Sequence, residues 1–184
     1  MAFPEPRLSI VDKIVEIHLA LSAGEVPHGF GGALALAWCT QQARGTIDID
    51  INIFLDAEAA GTVFETLPDG LIWSDDDIEV ATRDGQVRLW WDQTPLDVFL
   101  NTTPFHHEVA ARVRYENFAG HSIPFLNCND LAVFKAFFNR TKDWADLEEM
   151  LAAHTLDLQR VLGVLAQHLG GDDERVTRLI GLSV

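Results

Sequence analysis

Basic residues are scarce in this sequence. Lys and Arg number 13 against 28 Asp and Glu in 184 residues, a formal charge of −15. So negative a surface repels phosphates over most of its area, which argues against non-specific binding to nucleic acid or to an anionic membrane and leaves room only for a local basic pocket. Cysteine is scarcer still. Cys39 and Cys128 lie in apolar or small-residue surroundings, and two cysteines in a chain of this size make no disulfide framework, so reduced core thiols are expected. No apolar run reaches the roughly 18 residues needed to span a bilayer. MAFPEPRLS at the N-terminus has no signal-peptide pattern, and a cytoplasmic protein is expected. There is no P-loop, no G-x-S-x-G, no cysteine-based zinc pattern, no internal repeat and no low-complexity linker.

What is present suits a folded chain. Apolar residues make up 48% of the sequence, enough for a real core in one domain, or one domain with a small appendage. Ile10, Ile14, Ile17 and Leu21 recur at helical spacing. VPHGF reads as a short strand, followed by a glycine turn and a helix from about Ala33. The stretch 47–55 alternates as a strand, DAEAAGTVFETL reads as a short helix, and PDGLIWSDDD reads as a loop. IEVATRDGQVRLWWD is expected to be a hairpin turning at Asp84-Gly85, with TPLDVFLN as the next strand. Residues 105–113 read as helix and 114–126 as a second hairpin or extended pair. From 129 onward the chain reads as helix throughout, so an α/β part precedes a helical part.

Chemistry concentrates in RGTIDIDINIFLD. The isoleucines at 47, 49, 51 and 53 take one face of the strand, and Asp48, Asp50 and Asn52 take the other. Side chains two apart on a strand stand roughly 6.5–7 Å apart on one face. Two carboxylates so held disfavour each other's charge unless a cation sits between them. Hard divalent cations want carboxylate oxygens together with substrate phosphate; the alternative is a solvated strand face. Upstream, Gly31-Gly32 sits between a strand and a helix, where backbone N–H groups can approach a phosphate, or where the chain merely needs a tight turn. Asp97 lies inside the apolar run TPLDVFLN, which is unusual for an acid unless it faces a polar site. His106-His107 is a weak ligand pair, because sequence neighbours point apart. Of Trp90 and Trp91, one ring should point inward and one outward.

The Gly-Gly pair opening a helix, then TIDIDI, then a third Asp in LDVFL resembles the nucleotidyltransferase fold of the DNA polymerase beta superfamily. The segment NDLAVFKAFFNRTKDWADLEEML sharpens the likeness, since it resembles bacterial proteins related to the AbiEii toxins. The resemblance runs from about residue 27 to 151. It implies an α+β fold: a nucleotidyltransferase-like mixed sheet with flanking helices over 1–126, with the N-terminal helix included, and a C-terminal helical bundle over 127–184 packed on that core. It implies Gly31 and Gly32 holding a nucleoside triphosphate through backbone amides, and Asp48, Asp50 and Asp97 as the catalytic, metal-binding carboxylates, with Mg²⁺ or Mn²⁺ as cofactor. Lys135 and Lys142 are candidates to meet phosphate oxygens; their alternative is solvated surface charge. Members often carry Ser after the first Gly, where this chain has Gly32.

The implied activity is transfer of a nucleoside monophosphate from NTP to a tRNA end, a protein hydroxyl or a small molecule. A cognate antitoxin or toxin protein would be the partner if the chain belongs to a toxin–antitoxin pair. The alternative is a nucleotidyltransferase fold without catalysis, serving as a binding or regulatory module.

Overall fold

Ser9 caps the first helix of the computed structural model, which describes residues 8–42 and 45–182. Its side chain accepts from the Asp12 N–H while Asp12 accepts from the Ser9 N–H, a capping box that starts α1 (Ile10–Ala23). Ile14, Ile17 and Leu21 form the fully buried stripe of that helix. The seven N-terminal residues, read above for a targeting pattern, lie outside the described residues, as do 43–44 and 183–184. No described helix is long and apolar enough to cross a membrane.

The strands are β1 (His28–Phe30), β2 (Ile49–Asp56), β3 (Leu71–Ile72), β4 (Gln86–Trp91), β5 (Thr94–Asn101), β6 (Arg114–Phe118) and β7 (His121–Phe125). Among the described residues they make one seven-stranded mixed sheet in the order β3-β4-β5-β2-β1-β7-β6. The helices between them are α2 (Gly32–Thr40), α3 (Ala60–Glu65), α4 (Asp75–Asp84) and α5 (Pro104–Val109). The C-terminal part holds α6 (Cys128–Phe138), α7 (Thr141–Ala152), α8 (Leu158–Leu169) and α9 (Glu174–Gly181). The chain forms two compact units. One contains the described residues up to Phe30 with Thr46–Phe125, hence the whole sheet; the other contains those of 31–45 and of 126–184.

In the sheet unit, β2 runs antiparallel to β1 and parallel to β5. Ile49, Ile51 and Ile53 are buried opposite Leu96, Val98 and Leu100, the continuous apolar face expected of a central strand. The strand begins at Ile49 rather than 47, which leaves Ile47 82% exposed. Trp91 is buried and Trp90 exposed, as alternation requires. Lys13 ties α1 to the β4–β5 turn, donating to the Trp91 carbonyl at 2.8 Å and to Thr94 Oγ1 at 3.1 Å.

Two local expectations fail in this unit. SDDD is no loop: Ser74 and Asp77 form a capping box, and the acidic residues 75–77 fill the first turn of α4, where the helix dipole favours them. Asp84-Gly85 is no hairpin turn either. Gly85, at φ +68, donates to the Ala81 carbonyl and caps the C-terminus of α4. A Cβ there would meet the Thr102 methyl at 2.0 Å, so glycine is required twice over. The real hairpin joins β4 to β5 through Asp92 and Gln93, with Trp91 opposite Thr94 and Asp92 at φ +53.

In the helical unit, α2 packs with α6 and α7, and α6 with α8 and α9. Cys39 of α2 and Cys128 of α6 are joined in a disulfide, which overturns the expected reduced thiols. The two cysteines stand 89 residues apart in sequence, and only the packing of α2 on α6 brings them together.

Candidate functional site

Parallel pairing of β2 with β5 sets Asp50 directly beside Asp97. Neighbouring strands are about 4.8 Å apart, so the two carboxylates leave the same sheet face as close neighbours. Asp48 lies two residues before Asp50, just ahead of the strand, and its Oδ1 accepts from the Thr46 hydroxyl. The opposite face is the isoleucine and leucine core, which fixes the register: slipping β2 by one residue would bury the acids and expose the isoleucines. Of the three aspartates that the sequence singled out, the register makes Asp50 and Asp97 neighbours, and Asp48 precedes Asp50 by two residues.

The structure adds a residue that sequence reading missed. Arg88 of β4 stands opposite Asp97 and forms a two-point ion pair with it, Nε to Oδ1 and Nη2 to Oδ2, both at 2.7 Å. The guanidinium is held above its usual pKa, first by the hydrogen bond and charge of Asp97, then by the charges of Asp48 and Asp50. Arg88 thus lies in the field of all three carboxylates. The signal in the sequence was alternation: R-L-W-W places Arg88 and Trp90 on one face, and correct pairing with TPLDVFL would have set Arg88 against Asp97.

Asp48, Asp50 and Asp97 offer only hard oxygen donors, the chemistry that suits Mg²⁺ or Mn²⁺. Among the described residues, no three His, Cys, Asp or Glu side chains are gathered as a ligand shell. Arg88 holds both oxygens of Asp97 and also feels the charges of Asp48 and Asp50. The donor set fits a divalent ion in charge and chemistry, with Asp97 engaged elsewhere.

The remaining predicted site residues belong to the helical unit. Gly31 is the N-cap of α2 and offers no side-chain cap, and Gly32 has φ +51, a conformation that a residue with a Cβ adopts only at a cost. Lys135 and Lys142 do not share one helix. Asn139, at φ +55, ends α6, and Arg140 is the N-cap of α7. Lys142 is exposed. Lys135 is buried, donates to Asp146 and stands 3.7 Å from Asp143. Arg140 holds Asp143 with Nε to Oδ2 at 2.6 Å.

The histidine neighbours do point apart. Burial pushes His106 down to about 4, while His107 Nε2 lies 3.1 Å from Asp56 Oδ1 and its Nδ1 lies 3.1 Å from the Asn101 amide nitrogen. His107 borders an open depression of about 780 Å³ at the far ends of β2 and β5. Asp56, Glu58 and Glu108 line it with no Lys or Arg, so it does not suit a triphosphate.

No family model and no curated protein matches the chain. Solved structures do. The antibiotic-resistance factor ANT(2'')-Ia, known from a solution structure, aligns with a TM-score of 0.52 and 16% identity, over 93% of this chain and 89% of that one. An antigenic nucleotidyltransferase-like protein from Paracoccidioides brasiliensis aligns with a TM-score of 0.47 and 12% identity, over 90% of this chain and 93% of that one. Likeness at such identities concerns the fold. The chain has a nucleotidyltransferase-like α+β fold: a mixed sheet with flanking helices, and helices in its C-terminal part.

Proposed function

We propose that this chain is a metal-dependent nucleotidyltransferase, moving a nucleoside monophosphate from NTP to an acceptor hydroxyl. The observation that carries the reading is the register of β2 and β5, which sets Asp50 beside Asp97 with Asp48 two residues earlier. A divalent cation bound there would supply charge stabilisation at the triphosphate and acidify the acceptor hydroxyl. The acceptor oxygen attacks the α-phosphorus, the bond to the β-phosphate oxygen breaks, and pyrophosphate leaves in line. The acceptor proton passes to a carboxylate of the cluster, for which Asp97 is our candidate.

The acceptor classes are a tRNA end, a protein hydroxyl or a small molecule. The charge of −15 disfavours a long RNA. The AbiEii resemblance supports a toxin–antitoxin setting, with a cognate protein as partner. One observation favours a second reading, a fold that binds without turnover: Asp97 is fully engaged by Arg88.

The test is incubation of the purified protein with cell extract, Mg²⁺ or Mn²⁺, and each NTP labelled at either the α- or the γ-phosphate. Nucleotidyl transfer labels a product from the α-labelled NTP only. Label arriving from the γ-position would mean phosphoryl transfer instead, and no label with any NTP and either metal would favour the binding module.

A further inference from the structure

Arg88 pairs with Asp97 and lies in the field of Asp48 and Asp50. Its guanidinium takes both oxygens of Asp97 in the planar two-point geometry that carboxylates bind best. It also feels the charges of Asp48 and Asp50. The Arg88 side chain is about half exposed (51%), whereas that of Asp97 is only 19% exposed. An arginine so placed can swing into solvent on its long stem, while Asp97, fixed in the middle of β5, cannot follow it. A divalent cation and Arg88 therefore compete for the same oxygens.

We propose that Arg88 is a positioning residue that keeps the aspartate cluster assembled without metal and yields Asp97 when a divalent cation arrives. This inference rests on reading the cluster as a nucleotidyl-transfer centre. Arg88 lowers the apparent metal affinity, because binding must first break its pair with Asp97. Its positive charge also offsets the repulsion among the three carboxylates. Once released, its five N–H donors are available to a triphosphate bound at the cluster. Ion and substrate thus become coupled: phosphate gives the displaced guanidinium a new partner, so NTP favours the metal-loaded state.

The experiment measures Mn²⁺ binding by the electron paramagnetic resonance of the free ion, for the parent, Arg88→Met and Arg88→Lys, without nucleotide. Arg88→Met should bind Mn²⁺ about tenfold more tightly, since the competitor and its charge are both gone. Arg88→Lys should fall between, because the charge remains and the two-point pair does not. If Arg88→Met does not fold, the Lys variant alone decides, and an affinity equal to the parent's would overturn the proposal. Equal affinity in a folded Arg88→Met would overturn it as well, reducing Arg88 to a surface ion pair while leaving the nucleotidyl-transfer reading intact. Absence of Mn²⁺ binding in all three proteins would sink both.

Discussion

Asp50 on β2 and Asp97 on β5 are register partners on adjacent parallel strands. Between them in sequence run a helix, a short edge strand, a second helix and a hairpin strand, so their meeting is a product of topology. Parallel neighbours cannot be joined by a tight turn, and the 46 intervening residues form the crossover that such pairing demands. Asp48→Asn keeps the shape at this cluster and removes one charge. The Asn oxygen can still accept from Thr46, as Asp48 Oδ1 does, and Arg88 already neutralises part of the cluster. Metal-free stability should then change by no more than about 0.5 kcal/mol. The parent should gain about 2.7 kcal/mol from Mg²⁺ and NTP at a hundred times the dissociation constant, and the variant should gain almost none. Urea unfolding of both proteins, with and without the ligands, checks this; an equal gain in the two would remove Asp48 from the site.

Acid should weaken the sheet unit through histidines held neutral. His28 is buried, lies 2.9 Å from His18 across their ring nitrogens, and is pushed down to about 4 by desolvation. His106 is pushed to about 4 by the same cause. A histidine whose folded pKa lies below its unfolded value near 6.5 leaves the unfolded state holding more protons between the two. Stability is therefore lost as pH falls from about 6.5 toward 4, and each such histidine costs about 2 kcal/mol between pH 7 and 5. His28→Gln should remove one share of that loss. Unfolding free energies at the two pH values, for parent and variant, measure it directly.

The aspartates and the sheet around them were legible because two periodicities coincide there. Apolar residues at 49, 51 and 53 demand one face, which leaves Asp48 and Asp50 on the other. Arg88 was not legible, because its importance depends on which strand pairs with β5, and that was obscured by Asp84-Gly85. This dipeptide satisfies a hairpin turn and a helix C-cap equally well, since both want glycine at positive φ. The capping box at Ser74 was the signal that could have decided it. The disulfide was hidden for a different reason: 89 residues separate its halves, and no local pattern reports a long-range approach.

Joining Cys39 to Cys128 closes a long loop, which restricts the unfolded chain. Reduction should cost about 2–4 kcal/mol. Thermal melts with and without a phosphine reductant should show it, and Cys39→Ser should melt like the reduced parent in either buffer. Mass spectrometry after alkylation under denaturing conditions gives an independent check, with no cysteine labelled unless reductant is added. Labelling of both cysteines in the untreated protein would mean that the bond does not form.

Lys135 and Asp146 form a buried pair, with Asp143 at 3.7 Å from the same ammonium and wholly enclosed. Removing one member leaves the other a buried charge deprived of this bond, so Lys135→Met and Asp146→Leu should each cost about 3–5 kcal/mol. Asp143 keeps Arg140 in either case. Replacing both at once leaves a packed apolar contact and should recover most of that loss, because a buried ion pair and its apolar substitute are often close in stability. The double variant also separates the two roles open to Lys135. With its ammonium bonded to Asp146, Lys135 is expected to leave NTP affinity unchanged when both residues are replaced and the fold is kept. Isothermal titration of NTP with Mg²⁺ into the folded double variant measures this. A tenfold or greater loss there, in a protein whose unfolding free energy matches the parent's, would instead make Lys135 a phosphate ligand that leaves its aspartates on binding.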